Sequence, residues 1–372
     1  MKTLITGGLG FIGLALARRL LAEGHGVTLV DSLTPQIHGA LPLVTPPEGA
    51  RVERLDVREL PDHADLLEGV DAVYHLAAET GTAQSMYRMQ GYVSVNDLGT
   101  AALLEAVAKC TRRPTQLVLA SSRSVYGEGA YVSASAPTVL VQPGSRPKAQ
   151  LDAAQWEPLD AQGRVLMPVP TPETLPFAPG SVYAATKAAQ ELLVQSASHA
   201  LGFCAKVFRF QNVYGEGQSL QNPYTGIISI FYNRARQGLE IPVYEDGLES
   251  RDFVHVADIV DGLVAALRAD MPSGAPVNLG AGVGTSVQSL ANTLIGVSGH
   301  HVGTRVTGQY RVGDIRHCFA SLDRARSWLG FEPKVTLEDG LRRFCAWAET
   351  QAAHEDRLAQ ATEELRQKGL AN

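Results

Sequence analysis

The side chains best suited to acid–base chemistry in this sequence are a tyrosine and a lysine spaced four residues apart. They are Tyr183 and Lys187, in the segment Tyr183-Ala184-Ala185-Thr186-Lys187. Residues at this spacing lie one above the other on a helix, and a neighbouring ammonium lowers the pKa of a phenol. The pair therefore predicts a phenol that serves as a base near neutral pH.

Further reactive groups are expected at the end of a strand. Ser121 and Ser122 follow a strand predicted at 116–120 and precede Arg123-Ser124-Val125-Tyr126-Gly127. In open parallel sheets, ligands bind outside the carboxyl ends of the strands. These hydroxyls are therefore expected at a ligand site.

A glycine-rich turn between the first strand and the first helix predicts a dinucleotide site. Gly7, Gly10 and Gly13 form G-x-x-G-x-x-G after a strand at 3–6 and at the start of a helix at 11–23. Without Cβ atoms they permit a tight turn and close approach of a pyrophosphate to the helix N-terminus. Asp31 ends the second strand, where a carboxylate accepts hydrogen bonds from the adenosine ribose and repels a 2′-phosphate. The expected cofactor is therefore NAD rather than NADP.

Strands and helices alternate in the first half of the chain, which predicts the fold. Alternating elements indicate an α/β protein with a doubly wound parallel sheet of the Rossmann type. This NAD-binding domain is predicted over 1–215, and a smaller mixed α/β domain at 216–347 is expected to bind mainly substrate and to interleave with the first. The predicted strands lie at 3–6, 27–30, 51–55, 72–76, 116–120 and 206–210, with helices at 11–23, 95–109 and 183–200.

The chain has segments outside this pattern. A proline-rich insertion at 127–180 separates Ser122 from Tyr183, and it is either a lid over the site or a disordered surface loop. The residues at 348–372 are charged and rich in alanine, which predicts a solvated helical tail.

Composition narrows the class of protein. Lys+Arg at 32 and Asp+Glu at 38 leave a net charge of −6, which argues against nucleic acid as the main partner. The sequence has no apolar run of the roughly 20 residues that cross a bilayer. The four cysteines lack the spacing of a zinc site or a disulfide framework. We expect a cytoplasmic enzyme without a metal, a nucleic-acid partner or a membrane partner.

Taken together, the T-G-G-x-G-F-I-G turn, the Ser-Ser-x-x-x-Tyr-Gly strand end and the Y-x-x-x-K pair resemble the extended short-chain dehydrogenase/reductases. The resemblance is to their NAD-dependent nucleotide-sugar epimerase/dehydratase family, and it runs from Lys2 to about residue 347. It implies that Tyr183 is the acid and base, that Lys187 also holds the nicotinamide ribose, and that Ser122 is the third catalytic group. It implies cofactor contacts at Gly7, Gly10, Phe11, Ile12, Gly13, Asp31, Ser32, Asp56, Val57, Leu76, Ala77, Ala78, Asn96, Ser121, Tyr183, Lys187 and Phe210.

Later motifs imply where a nucleotide sugar binds. Asn212 lies in R-x-x-N-x-Y-G and resembles a diphosphate contact, and Pro242 and Tyr244 resemble the strand that flanks the base. Arg251 and Arg316 are expected to clamp the diphosphate, because a guanidinium fork suits phosphate oxygens. The full predicted substrate set is Glu79, Thr80, Ser122, Arg123, Tyr183, Asn212, Asn222, Pro242, Tyr244, Arg251 and Arg316.

Several reactions compete within this family. A 4,6-dehydratase carries an Asp-Glu pair where this chain has Arg123 and Ser124, and an NADPH-consuming ketoreductase would avoid the Asp31 carboxylate. A 4-epimerase is therefore expected. The sugar-facing segments most resemble dTDP-L-rhamnose 4-epimerases, which make dTDP-6-deoxy-L-talose, and a UDP-glucose/galactose-type 4-epimerase is the alternative.

Hypotheses about assembly and about a different class of function also follow. The predicted helices at 95–110 and 183–200 resemble the pair that forms a homodimer interface in this family. A nonenzymatic NAD-sensing regulator on the same fold is the hypothesis from another class, although such proteins typically lose the Tyr-Lys pair.

Overall fold

The computed structural model describes residues 1–39, 44–220, 226–352 and 358–370. Its strands are β1 (Lys2–Thr6), β2 (Gly26–Asp31), β3 (Arg51–Arg54), β4 (Ala72–His75), β5 (Gln116–Ser122), β6 (Ala130–Ser133), β7 (Ala136–Val141), β8 (Leu166–Val169), β9 (Cys204–Phe210), β10 (Asn212–Tyr214), β11 (Ile241–Val243), β12 (Ser250–Arg251), β13 (Phe253–His255), β14 (Pro276–Leu279), β15 (Thr285–Ser286), β16 (Thr304–Val306) and β17 (His317–Cys318).

Helices connect most of these strands. They are α1 (Phe11–Ala22), α2 (Pro35–His38), α3 (Thr82–Ser85), α4 (Met89–Tyr92), α5 (Gly99–Lys109), α6 (Lys148–Asp152), α7 (Val182–Leu201), α8 (Ile227–Arg236), α9 (Val256–Ala266), α10 (Val287–Ser298), α11 (Asp323–Leu329), α12 (Leu337–Glu349) and α13 (Leu358–Gln367). Tighter 3₁₀ turns cover Val57–Leu67 and Arg123–Tyr126, and a π-helical segment covers Val93–Leu98. Within the described ranges, no helix is long and apolar enough to cross a membrane.

The central sheet has parallel strands in the order β14-β9-β5-β4-β1-β2-β3 among the residues described. The strands are apolar on both faces, as Leu4 and Ile5 of β1 show by being fully buried on opposite sides. The strand order reverses between β1 and β4, so their carboxyl ends open a crevice where a ligand fits. The predicted α/β fold class is confirmed.

The elements after residue 215 contribute to both halves of the molecule. Strand β14 pairs with β9 and completes the central sheet, although it lies far into the second half of the chain. Helices α8, α10 and α12 bury an apolar core of their own, around Phe231, Leu290 and Phe344. The boundary between the halves is therefore not a single point in the sequence.

The insertion at 127–180 is folded, which excludes the alternative of a disordered loop. Strands β7, β6 and β8 form an antiparallel sheet, with Tyr131 and Val132 buried. Arg146 in the insertion makes paired hydrogen bonds of 2.9 and 2.8 Å with Glu245 of the second half. Both side chains are buried, so this ion pair fixes the insertion against the second half of the chain.

Candidate active site

A cavity of about 890 Å³ opens at the carboxyl ends of the central strands. It brings together most of the predicted site residues from widely separated parts of the chain. On the cofactor side its lining includes Gly7, Gly10, Phe11, Ile12, Gly13, Asp31, Ser32, Asp56, Val57, Leu76, Ala77, Ala78, Ser121 and Phe210, and on the side of the reacting groups it includes Glu79, Thr80, Ser122, Tyr183, Lys187 and Asn212. No described residue of the 127–180 insertion lines this cavity.

The glycine turn is packed too closely to accept side chains. Gly7 has φ of +67°, and a Cβ there would lie 2.8 Å from the amide nitrogen of Ala77. A Cβ on Gly13 would lie 2.4 Å from the carbonyl oxygen of Gly7. These contacts bring β1, β4 and α1 together, and they leave the N-terminus of α1 open to the cavity.

The variant Gly13→Ala is expected to lose bound NAD, because the new methyl group would push the turn away from α1. We expect at least a tenfold loss of NAD affinity, about 1.4 kcal/mol, measured by titration calorimetry on the apoprotein. Gly296→Ala is the matched control, since it lies within α10 with open space around its Cα. It should bind NAD normally, and an equal loss in both variants would contradict this account of the turn.

Asp31 is held in place for an acceptor role. Its carboxylate accepts hydrogen bonds from the Leu9 amide at 3.0 Å and the Leu33 amide at 2.8 Å, and His38 lies 3.5 Å away. Burial opposes ionisation, but the hydrogen bonds from His38 and Leu33 keep the pKa of Asp31 below its ordinary value. The group therefore presents a fixed negative charge to the cavity.

The side chains of Asp56 and Asn96 each accept a hydrogen bond from a backbone amide close to the cavity. Asp56 caps the turn that begins at Val57, accepting from the Arg58 amide at 2.9 Å, and it also lines the cavity. Asn96 is fully buried and does not line the cavity. Its amide accepts from Glu79 N–H at 2.8 Å and donates to Thr186 Oγ1 at 2.9 Å, so it positions the loop after β4.

Tyr183, Lys187 and Ser122 converge as predicted. Tyr183 and Lys187 lie one turn apart near the start of α7, which is capped by Ser181. Lys187 Nζ donates to the carbonyl oxygen of Ala120 at 2.8 Å, next to the serines at the end of β5. The Ser122 hydroxyl faces the Tyr183 phenol and lowers its pKa.

The groups that lower the pKa of Tyr183 differ from the prediction. Burial raises the pKa of the phenol above its ordinary value, and the Ser122 hydroxyl and the Arg123 guanidinium oppose that rise. Sequence analysis assigned this role to Lys187. The ammonium instead faces Ala120, and burial lowers the pKa of Lys187 to about 8 against the charges of Glu191 and Asp97.

The buried carboxylate of Glu191, close to Lys187, was not predicted by the sequence analysis. Glu191 is fully buried one further turn along α7, and both of its oxygens accept from Arg209, at 2.9 and 2.8 Å. Ser121 Oγ also donates to Glu191. Two signals were available, since Glu191 repeats the four-residue spacing of Tyr183 and Lys187, and Arg209 begins the R-x-x-N-x-Y-G motif.

The predicted phosphate-binding arginines have different surroundings. Arg123 Nε donates to Asn212 Oδ1 at 2.9 Å, which connects it to the cavity lining. Arg251 lies near Arg123, and its NH2 is 3.1 Å from Asp314. These two guanidinium groups form a positively charged region beside the reacting groups.

Arg316 is not brought to the cavity. Its guanidinium is fully buried and paired with carboxylates, at 2.7 Å from Glu157, 2.9 Å from Glu245 and 2.7 Å from Asp246. A phosphate would have to displace them. Arg311, five residues earlier, is the better candidate, because it lies 4.9 Å over the Tyr244 ring and its Nε has no hydrogen-bond partner among the described residues.

Pro242 and Tyr244 line a second cavity, of about 510 Å³. The structure therefore places the strand that was expected to flank a base apart from the cavity that holds Tyr183. Arg311 stacks on Tyr244 and contributes to the charge around Asp314, as Arg251 and Arg123 do. Asn222, another predicted substrate contact, lies outside the described residues.

The model of the NAD dependent epimerase/dehydratase family matches residues 3–149 and 162–280 of this chain. The chain belongs to this family. A dTDP-L-rhamnose 4-epimerase of Burkholderia thailandensis is 39% identical over 352 residues, which cover 93% of this chain and 94% of that protein. The match extends through both halves of the chain.

Solved structures of the epimerase/dehydratase family have the same fold. A UDP-glucose 4-epimerase of Thermotoga maritima, solved with UDP-glucose, superimposes with a TM-score of 0.76 at 26% identity, covering 94% of this chain and 99% of that one. MoeE5, solved with UDP-glucuronic acid and NAD, gives 0.74 at 27% identity and the same coverage. The predicted family, the prediction of an NAD-dependent enzyme of the nucleotide-sugar epimerase class and the predicted cofactor are thereby confirmed.

Proposed function

We propose that this enzyme is a 4-epimerase that converts dTDP-L-rhamnose to dTDP-6-deoxy-L-talose. The observation that carries the proposal is the 39% identity to a dTDP-L-rhamnose 4-epimerase along nearly the whole chain. The site supports the reaction type, because Ser122 is followed by Arg123 and Ser124, so the acid pair needed to eliminate water is absent there. A UDP-hexose 4-epimerase is the second candidate, favoured by the similarity to the Thermotoga maritima enzyme.

The residues around the cavity fit NAD and divide the work of binding it. In this proposal Asp31 accepts from the adenosine ribose, the N-terminus of α1 binds the pyrophosphate, and Lys187 holds the nicotinamide ribose. We propose that 1–215 supplies this site, whereas 216–347 binds mainly the nucleotide of the substrate. When bound there, NAD would supply the hydride acceptor and hydride donor for the chemistry at C4 of the sugar.

The protein groups move one proton and orient the sugar. Tyr183 takes the proton from the C4 hydroxyl as that carbon is oxidised, and it returns the proton when C4 is reduced on the opposite face. Ser122 holds the C4 oxygen within reach of the phenol, and the positive charge of Arg123 stabilises the phenolate form. The 4-keto sugar rotates to present its opposite face, while its diphosphate stays bound near Arg251 and Arg311.

A panel of sugars tests this proposal. The purified protein is incubated separately with dTDP-L-rhamnose, UDP-glucose and UDP-galactose, and the signals of the C4 proton are followed by NMR. Conversion of dTDP-L-rhamnose alone supports the proposed substrate. Conversion of the UDP-hexoses alone would support the proposed 4-epimerisation but show that the proposed substrate is wrong. No conversion of any sugar, even with added NAD, would contradict the proposal that the protein is an epimerase.

We also propose that the enzyme is a homodimer. The π-helical segment packs beside α7, and large apolar side chains on these elements are exposed, with Leu98 at 56% and Leu192 at 52%. Such side chains on adjacent helices are typical of an interaction surface. The helices that would meet a second copy also carry Tyr183, so association would stabilise the site.

The double variant Leu98→Glu/Leu192→Glu is expected to be a monomer, because four carboxylates would be buried at the interface. Light scattering after size exclusion gives the mass directly. Val139→Glu is the control, since Val139 is equally exposed at 57% but lies on β7. A wild-type protein that is itself monomeric at micromolar concentration would refute the dimer.

A further inference from the structure

The C-terminal helix α13 contacts segments from both halves of the molecule. Thr362 Oγ1 lies 3.1 Å from Tyr244 Oη, at the end of β11. The turn after the helix contributes two more contacts: Lys368 Nζ lies 4.7 Å over the Tyr87 ring, and the Leu370 carbonyl accepts from the Val312 amide at 3.1 Å.

These contacts hold a helix that would not be stable alone. Ten residues are too few for a helix to persist in water without tertiary packing. Leu365 is 3% exposed and supplies the apolar anchor. The helix is therefore a docked element of the enzyme rather than a solvated tail, which corrects the prediction for this part of 348–372.

Docking of α13 forms one side of the second cavity, which remains open to solvent. One side of that cavity is formed by Pro242, Tyr244 and Arg305, and the other by Thr362, Glu363 and Arg366 of α13. The volume of about 510 Å³ lies in the range of small-molecule sites. The helix thus supplies the residues on one side of this cavity.

The lining has the chemistry of a nucleotide site. The Tyr244 ring offers a surface for a planar base, and hydroxyl and amide groups from Thr307, Gln309 and Thr362 offer polar contacts. Arg311 lies against the same ring at 4.9 Å, where a guanidinium can reach a phosphate.

We propose that α13 forms the outer wall of the nucleotide end of the substrate site and contributes to its affinity for the nucleoside diphosphate. This inference rests on the proposed function, because it needs a nucleotide-sugar substrate. It assigns a binding role to Thr362 and Arg366, in a segment of the chain far from the catalytic residues.

The test compares nucleoside diphosphate binding by the full chain with two disrupted forms. One form ends at Ala352, and the other carries Leu365→Asp, which places a charge in the apolar anchor and undocks the helix. The probes are dTDP and UDP, each titrated by calorimetry. We expect the full chain to bind dTDP and both disrupted forms to bind it at least about tenfold more weakly, with bound NAD unchanged.

The control keeps the helix and alters its exposed side. Gln367 is exposed and does not line the cavity, so Gln367→Ala should bind dTDP as the full chain does. Equal dTDP or UDP affinity of the full and shortened chains would overturn the inference while leaving the proposed function intact. If the full chain binds neither diphosphate, the proposed function fails and the inference fails with it.

Discussion

Replacing Tyr183 by phenylalanine should lower the turnover of the nucleotide sugar by about 10²- to 10⁴-fold, the usual contribution of a general acid and base. The phenol is the group that moves the C4 proton, and the ring alone cannot do so. Because the ring still packs edge-on against Tyr92, with centroids 6.4 Å apart, the fold and the bound NAD should be retained. Steady-state kinetics and the absorbance of released NAD measure the two effects.

Tyr131→Phe is the matched control for this substitution. Tyr131 is a buried tyrosine of the insertion, whose hydroxyl lies 3.4 Å from the His317 carbonyl, and it does not line the cavity. Its loss should change stability and leave turnover within about twofold. If Tyr183→Phe kept wild-type turnover, the assigned acid and base would be wrong. An NAD-sensing regulator would become the better hypothesis only if the wild type itself bound NAD and turned over no nucleotide sugar.

Replacing Glu191 by glutamine should lower the free energy of unfolding by about 3–5 kcal/mol, because it leaves the Arg209 guanidinium buried without its counter-ion. The two side chains are 0% and 4% exposed, and Arg209 is further held between the Tyr126 and Phe177 rings, at 4.7 and 5.1 Å. Denaturant unfolding measures the loss. The double variant Glu191→Gln/Arg209→Met removes both charges and should recover most of the stability.

The pH dependence of kcat in the same two variants distinguishes an effect of Glu191 on catalysis from its effect on stability. The titratable groups that face Lys187 are Glu191 on its own helix, Asp97 on the π-helical segment and His75 on β4. Burial lowers the pKa of Lys187 to about 8, so its protonated fraction falls as pH rises through 8. Loss of Glu191 removes a charge that raises this pKa.

The Lys187 ammonium that is proposed to hold the nicotinamide ribose should therefore lose its proton at a lower pH in both variants. Activity should decline at that lower pH as well. The double variant is decisive, because we expect it to be nearly as stable as the wild type although it still lacks the Glu191 carboxylate. An unshifted alkaline limb of kcat in the double variant would mean that Glu191 only stabilises the fold.

The central sheet and the cofactor side of the site could be predicted because their signals are local. Gly7, Gly10 and Gly13 encode a turn, and Asp31 follows a strand whose end is fixed by its own apolar pattern. Predicted strand ends agree with the structure within two residues, as for 206–210 against Cys204–Phe210. Short-range geometry decides these features, so spacing in the sequence is enough.

The role of each arginine could not be predicted, because it depends on contacts between distant segments. Arg316 looks like a phosphate ligand in its motif, but Glu157 of the insertion and Glu245 of the second half take up its charge. The fold of the insertion could not be predicted from its prolines, because proline occurs in edge strands such as β7 and β8 as well as in loops. The docking of α13 likewise depends on Tyr244, more than 100 residues earlier in the chain.

The most direct test of the proposed reaction follows the hydrogen on C4 of the sugar. The enzyme is incubated in ordinary water with dTDP-L-rhamnose carrying deuterium at C4, without added cofactor, and the product is examined by NMR and mass spectrometry. Oxidation and reduction at the same carbon with internal return of the hydride predict dTDP-6-deoxy-L-talose that retains the deuterium at C4. A C4-inverted product that has lost the deuterium to solvent, or no conversion of any C4-labelled nucleotide sugar with NAD supplied, would contradict the proposed mechanism.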